Sequence, residues 1–570
     1  MTAKFICANW SPGSPTCEEE GKYTCKNCFL VIYCGSTCQK SHWPHHKVEC
    51  KSPLGKQTWQ PSWILEQRTP DFIGDGNHTF GGKKYLWGNV PAFDVLKLES
   101  NEGEEYDGDL RLLFAASGDI RNLVRTVANL PSSYNQSVEA IINDRDFDIV
   151  AQNLILLLIA LVVENVHEAV DCIIHLWYST LVRTSDIEIL HTRILPLIED
   201  ISEKVKDKPP GKLLAKTWKF GTRSLRIVLE QSFWIRLLSF FKKPAALTID
   251  QANETRKANT LAHSRRDYQD RYMLCLSPTQ RIAFYKFRQD GLLLPFGYPR
   301  HAFREPNPTF FQDAVSWPMK DNADPLHGWP LEEVSNTTSG AATADIYGKL
   351  FFYLRGQLHS FLSRVSSSKI AFELHLLDVT ALPEHLEVDS FSRIDVSNIS
   401  DRAWLGLPET LSAMVPLLQS PLENPHATLI TLFMNAVEES LTDADRMEGL
   451  TSKSQITKRL MKYFPPNKMK MTSISRYDPI MIKVAVGREL ITTWDDVFDR
   501  FMKYYKFKEA SEFFEVTMKN EHTIIEKWPY KLKLRPGQPG AQDEFDRALT
   551  MGVSGKERYV EWKRVPEDPL

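Results

Sequence analysis

Residues 109–130, DLRLLFAASGDIRNLVRTVANL, decide how the body of this chain is read. Leu110 to Ala116 is apolar apart from Arg111, as in a strand buried on both faces. Ser117, Gly118 and Asp119 break the run. From Ile120 the apolar residues fall at 120, 123, 124, 127 and 130, the spacing of one helix face, and Pro131 ends that helix. Further on, Val138 to Asp144 predicts a second strand ending on an acid. Phe147 to Val163 predicts a long apolar helix, and His167 to Val182 another. Strand, helix, strand and covering helices make a βαβ unit, and the expected class is α/β with a Rossmann-like body.

A strand–glycine–helix turn followed by an acid at the next strand end has the logic of a nucleoside site. Gly118 would let a ligand approach the backbone, Asp119 stands at the helix start, and Asp144 would accept from ribose hydroxyls. The plainer reading is that Gly118 turns the chain and Asp119 caps the helix. A single glycine is neither GxGxxG nor the GxGxG of S-adenosylmethionine-dependent methyltransferases, so the sequence argues against that cofactor.

Outward from this unit the organisation reads as follows. Residues 53–84 are rich in Pro, Gly and Lys and read as a linker. The body runs over 85–445, and 446–570 is a helical and strand extension packed on it. Residues 183–290 read as mostly helical. Arg256 to Arg288 interleaves many cations with Tyr268, Tyr272, Phe284, Tyr285 and Phe287. Acids are mixed in and no RNA-binding signature is present, so a solvated helix face with aromatic core residues is expected rather than a nucleic-acid surface. Residues 291–345 are irregular but contain Trp317 and Trp329, which marks an ordered insertion. Beyond it, Ile346–Val365 is an amphipathic helix, Lys369–Thr380 and Phe391–Asn398 are strands, and Thr428–Val437 is a core helix or strand. Helices at Lys453–Tyr463 and Trp494–Tyr505 and a late strand at Thr523–Leu534 complete the chain.

The 570 residues are 42% apolar and 25% charged, with a net charge of −3, which is ordinary globular composition and no polycation. The longest apolar stretch, Leu154 to Val163, falls far short of the ~20 residues that span a bilayer. The start, MTAKFICANW, has no apolar signal segment. The expectation is a cytoplasmic or nuclear protein with reduced thiols and no membrane contact.

Seven of the nine cysteines lie in the first 50 residues: Cys7, Cys17, Cys25, Cys28, Cys34, Cys38 and Cys50. An odd number of clustered thiols is a poor disulfide framework. With one histidine from His42, His45 and His46 it makes eight ligands, enough for two tetrahedral zinc ions. Cys25-Lys-Asn-Cys28 aims two thiolates at one ion, while Cys34/Cys38 and His46/Cys50 repeat a one-turn helical spacing. So short a segment cannot fold on an apolar core alone; bound metal would be its folding energy.

The CxxC, then Tyr33-Cys34-x3-Cys38-Gln39, then Trp43-x2-His46-Lys47-x2-Cys50, resembles the MYND-type zinc finger. The resemblance implies a cross-brace, with Cys7, Cys17, Cys34 and Cys38 on one zinc and Cys25, Cys28, His46 and Cys50 on the other. His42 and His45 are then surface or supporting groups. This chain departs from the usual first CxxC, since nine residues separate Cys7 from Cys17. The resemblance also implies a protein-interaction module that takes Pro-containing peptides, with Gln39 and Trp43 at its groove. A zinc shell closed by protein ligands has no position for substrate.

The stretches LLFAASGDIRN (112–122), INDRDFDIVAQNLILL (142–157), FSRIDVSNISDRAWLG (391–406) and NPHATLITLFMNAV (424–437) resemble fungal MYND-finger proteins that carry a domain of unknown function. That domain is similar to the N-terminal part of the axonemal dynein assembly factor family. The resemblance implies a methyltransferase-like fold and no established reaction; Gln152 stands where the pattern has arginine. In such a fold Asp395, Asn398 and Asp401 would sit beyond a strand end that faces substrate, although capping roles serve them as well. No SET-type Asn-His-Ser-Cys, Gly-x4-Gly-Lys-Ser/Thr, His-Glu-x-x-His or Gly-x-Ser-x-Gly occurs. The expected function is a zinc-binding interaction or assembly scaffold docking a protein partner through the finger. An S-adenosylmethionine-dependent methyltransferase is the alternative and a transcriptional co-regulator the third, the last without a Lys/Arg-rich import signal to support it.

Overall fold

The structure, a computed structural model, describes residues 4–10, 16–73, 79–447, 454–464 and 477–566. Near the N-terminus, β1 (Tyr23–Thr24) and β2 (Ile32–Tyr33) form an antiparallel hairpin, and helix α1 (Ser36–Cys50) follows. The body begins with β3 (Leu110–Phe114), α2 (Arg121–Ala128), β4 (Ser137–Asn143), α3 (Phe147–Val162) and α4 (Val166–Tyr178). All but the last lie close to where the apolar spacing puts them. Helix α3 is buried at every residue but its last, which accounts for apolar residues all round it.

The chain continues with β5 (Leu181–Arg183), then β6 (Leu213–Phe220) and β7 (Arg223–Glu230), then α5 (Arg266–Cys275), α6 (Pro278–Asp290) and β8 (Phe303–Pro306). Helix α7 (Ile346–Ser367) leads to β9 (Lys369–His375), β10 (Arg393–Asp395), α8 (Leu407–Met414) and β11 (Thr428–Phe433). Last come α9 (Asp495–Tyr504), β12 (Val516–Met518) and β13 (Arg558–Arg564).

Nine strands form one sheet in the order β12-β13-β11-β10-β3-β4-β9-β7-β6. From β11 to β7 every neighbouring pair is parallel; β13 runs antiparallel to β11 and to β12, and β6 antiparallel to β7. Side-chain alternation sends successive residues to opposite faces. Leu110, Leu112 and Phe114 join a large core with Ala140, Ile142, Phe372 and the helices α2, α3, α4 and α7. Leu113 and Ala115 join a second core with Ile141, Ile394, Leu429, Trp562 and the helices α8 and α9. Covered on both faces, the central strands take the near-continuous apolar sequence seen in β3 and β11.

Several local expectations change. The helix expected to reach Val182 stops at Tyr178, because Thr180 pairs its backbone with Gly291 and Asn307 and leads into β5. Within 183–290 a hairpin replaces helix over 213–230. Gly221 supplies its turn at φ +66°, and Leu225, Ile227 and Leu229 alternate inward. Of residues 428–437, Thr428–Phe433 is strand β11, which inserts between β10 and β13, and a short helix begins at Ala436. Residues 523–534 form turns and bends rather than a strand. There the carboxylate of Glu561 takes the N–H groups of Thr523, Ile524 and Ile525, leaving none for a ladder. The helix expected from Lys453 to Tyr463 spans Gln455–Leu460, and Lys453 lies outside the described residues. Trp317 and Trp329 are both buried in an ordered insertion. Among the described residues no helix is long and apolar enough to cross a membrane.

The N-terminal segment shares the larger core: Ala8, Leu30, Val31 and Tyr33 are buried in it beside residues of the body. Phe5 meets Phe352 of α7 edge-on, the Trp10 indole donates to the Gly297 carbonyl, and Lys286 of α6 pairs with Glu49 of α1. A Cβ on Gly297 would stand 2.8 Å from that of Ala8, so the two parts meet at backbone distance.

Candidate metal centre

Two ligand clusters occupy the N-terminal segment. Cys7, Cys17, Cys34 and Cys38 offer one, and Cys25, Cys28, His46 and Cys50 the other; within each, the ligand atoms all lie within 4.8 Å of one another. The chain contributes them in alternating pairs. Loop residues Cys7 and Cys17 meet Cys34 and Cys38 at the start of α1, while the hairpin turn (Cys25, Cys28) meets the end of α1 (His46, Cys50).

The spacings suit zinc. Tetrahedral bonds of about 2.3 Å to sulfur place neighbouring sulfurs about 3.8 Å apart, and somewhat less for a sulfur–nitrogen pair. Cys17 and Cys34 are 3.8 Å apart, Cys25 and Cys50 3.7 Å, Cys34 and Cys38 3.4 Å, and Cys28 and His46 Nε2 3.4 Å. The thiol chemistry points the same way. A hydrogen bond from Cys28 holds Cys25 down to about 3, whereas keeping that proton, together with burial, pushes Cys28 up. One thiolate forms readily, and a second beside it calls for a cation. These clusters bind two zinc ions, and both shells are closed by protein.

Around the second cluster, the Asn27 amide donates to the Cys50 sulfur at 3.2 Å, an orienting contact of the kind that tunes a thiolate. His42 is buried and bonded to the Tyr33 hydroxyl at 3.0 Å; burial pushes it down to about 4, so it stays neutral. It belongs to neither cluster, and His45 is exposed. Gln39 and Trp43 lie one turn apart on α1. Trp43 is 37% exposed, with Lys51 over its ring and His46 edge-on to it.

The body's candidate residues lie together at the carboxyl ends of β3, β4 and β10. Gly118 adopts φ +56°, which only glycine takes without strain, and a Cβ there would meet nothing. Its N–H donates to Asp144 at 3.0 Å and its carbonyl accepts from Asn153 at 2.8 Å. Asp144 also takes the Asp146 N–H, and burial raises its pKa. Asp119 accepts from the Gly88 N–H, the first N–H of α2 and the Arg121 guanidinium at 2.6 Å. Asp395 takes the Asn122 amide and the Ser397 N–H. Asp401 takes the N–H groups of Met434 and Asn435, and burial lifts it to about 6. Each of these carboxylates is engaged by the chain itself. The sequence reading missed Arg121 and Gly88, a guanidinium lodged where a Cβ on Gly88 would sit; nothing in residue spacing marks such a contact. Gln152 is buried and reaches the Thr309 hydroxyl.

Comparison with known proteins matches two stretches of the chain. Residues 8–50 match the MYND finger, and residues 86–182 match a domain of unknown function (DUF4470). Over 99 residues the chain is 28% identical to "N-lysine methyltransferase SMYD2-B" of Xenopus laevis, covering 17% of this chain and 23% of that protein. Over 47 residues it is 45% identical to "SET domain and MYND-type zinc finger protein 6" of Schizosaccharomyces pombe, covering 8% of this chain and 10% of that protein. The chain thus spans less than a quarter of these relatives' length. No solved structure matches. The N-terminal segment is a two-zinc MYND finger, and the body begins with a domain to which no function is attached.

Proposed function

We propose that the protein is a zinc-dependent interaction and assembly scaffold, whose finger docks a protein partner and whose Rossmann-like body carries no catalysis. The observation that carries this reading is the outward face of α1, where Gln39 and a partly exposed Trp43 stand beside two closed zinc shells. An exposed indole ringed by polar groups suits a proline-containing peptide, whose preformed extended backbone loses little entropy on docking. The non-catalytic reading of the body rests on the engaged carboxylates of Asp119, Asp144, Asp395 and Asp401.

The test is titration of the zinc-loaded full chain with a panel of proline-containing peptides. Trp43→Ala and Gln39→Ala should each weaken binding at least tenfold with the unfolding temperature unchanged. Binding indifferent to both substitutions would move the partner site off α1.

The methyltransferase alternative keeps one supporting observation. The sheet order β9-β4-β3-β10-β11 reverses direction of growth at β3, and open α/β sheets bind ligands at that switch point. The similarity to lysine methyltransferases, 28% over 99 residues and 17% of this chain, gives that alternative little. Calorimetry with S-adenosylmethionine decides it: micromolar binding lost in Asp144→Ala would revive an enzyme, and no heat at millimolar ligand would leave a scaffold.

A further inference from the structure

The basic, aromatic-rich stretch 256–288 divides into two groups once folded. Arg256 and Arg281 are buried clamps on backbone: Arg256 donates to the carbonyls of Arg288 and Gln289, and Arg281 to those of Leu54, Lys56 and Leu276. Arg265, Arg271, Arg288 and Lys320 line one cavity of about 440 Å³ between α5, α6, the insertion and the segment after Leu549. The helical periodicity of α5 presents Tyr268, Arg271, Tyr272 and Cys275 to it together.

Charge in this cavity is one-sided. Four cations line it against one carboxylate, Asp321, which pairs with Arg265 at 2.8 Å. Among the described residues Arg271, Arg288 and Lys320 have no carboxylate within ion-pair range; the Lys320 ammonium rests on Tyr85 and Arg271 lies over the Phe72 ring, contacts that leave their positive charge unneutralised. Arg288 is the telling one. It is only 5% exposed, its Nε has no hydrogen-bond partner, and its Nη1 donates to a backbone carbonyl, that of Asp321. The buried Asp324 carboxylate nearby spends its oxygens on the Leu326 N–H and the Tyr347 hydroxyl. A guanidinium held out of water without a direct ion pair is costly, and an anion in the cavity would relieve it.

The remaining wall is aromatic. Tyr272 and Phe284 line the cavity with ring centroids 5.1 Å apart, and His327 stands edge-on to Tyr272. Gly552 closes over His327, where a Cβ would stand 2.4 Å from the imidazole. The volume falls in the ~300–1,000 Å³ range of small-molecule sites and is too small for a folded partner.

We propose that this cavity binds a small phosphate monoester carried on a planar aromatic body, the class of a nucleoside monophosphate. The phosphate meets Arg271, Arg288 and Lys320, and the ring lies against Tyr272 and Phe284. The site is distinct from the finger and from the carboxyl ends of the sheet.

The experiment is calorimetric titration of the zinc-loaded full chain with AMP, with inorganic phosphate and a phosphotyrosine peptide as comparison probes. Micromolar binding of AMP, at least tenfold weaker binding of phosphate, and a tenfold or greater loss in Arg271→Ala and in Lys320→Ala are expected. These two side chains are not buried, so the variants should keep the wild-type unfolding temperature; Arg288→Met serves as a third variant, judged only if it does too. Absence of heat with AMP at millimolar concentration overturns the proposal, as does AMP binding that both substitutions leave unchanged. Equal affinity for inorganic phosphate would overturn the aromatic half, and preference for the peptide would replace the small ligand with a phosphorylated protein.

Discussion

Asp401 shows how a buried carboxylate can be held by backbone and still be costly. Four hydrogen-bond donors surround it, yet burial lifts its pKa from 3.8 to about 6. A raised carboxyl pKa means the folded state keeps the proton longer than the unfolded chain. Its contribution to stability is therefore most favourable below about pH 4 and declines as pH rises through 6. Two units correspond to about 3 kcal/mol. Denaturant unfolding of wild type and Asp401→Asn at several pH values should show wild type losing up to about that much relative to the variant between pH 4 and 7. A difference independent of pH would mean that Asp401 titrates normally. At this scale the sequence was informative where chemistry dictates spacing. Six of the eight zinc ligands could be read from CxxC and one-turn intervals, because a tetrahedral ion tolerates few geometries; Cys7 and Cys17, with nine residues between them, came only from the family resemblance. The cavity at Arg288 was visible only as a basic, aromatic stretch. Which arginines clamp backbone and which face space is settled by tertiary packing.

Among the elements, β10 is only three residues long, yet it lies between β3 and β11 at the centre of the sheet. Its Arg393 is fully buried and pairs with Glu102 at 2.8 Å, tying the strand to the turn that precedes β3. Breaking a buried pair by removing one partner strands the other charge, at a cost of about 3–5 kcal/mol. Glu102→Gln should therefore destabilise by roughly that amount, while the double change Glu102→Leu with Arg393→Met should recover most of it. Urea unfolding of the three proteins measures this, and a double variant no better than the single would assign the effect to packing. The elements also show where local sequence misleads. Residues 523–534 have the composition of a strand, but the N–H groups of Thr523, Ile524 and Ile525 go to the Glu561 side chain, those of Lys533 and Leu534 go to Glu544, and Pro529 interrupts the run. The β6–β7 hairpin carries the period-two alternation of a strand pair, yet its charged residues, three and four positions apart, also fit one exposed helix face. Local pattern determined β3, α2, β4 and α3; it underdetermined segments whose partners lie far along the chain.

For the molecule as a whole, the MYND finger does not hang from the body. Cys7, Cys25, Cys28 and Cys50 are counted in the same buried core as β3, α3 and α7. Structural zinc supplies on the order of 10–16 kcal/mol per site in isolated fingers. Chelation should therefore lower the main calorimetric transition of the full chain, rather than remove a small separate one and leave the body unchanged. An unchanged main transition would show that finger and body fold independently.

The backbone contact at Gly297 and Ala8 has a consequence for protein supply. A chain made under zinc starvation cannot close its finger, and the apolar face around Gly297 and Phe352 is left bare. Such patches are what chaperones and proteases recognise. Abundance of the entire protein, including the portion that touches no metal, should then follow the zinc economy of the cell, which immunoblots of zinc-starved and zinc-replete cells would measure.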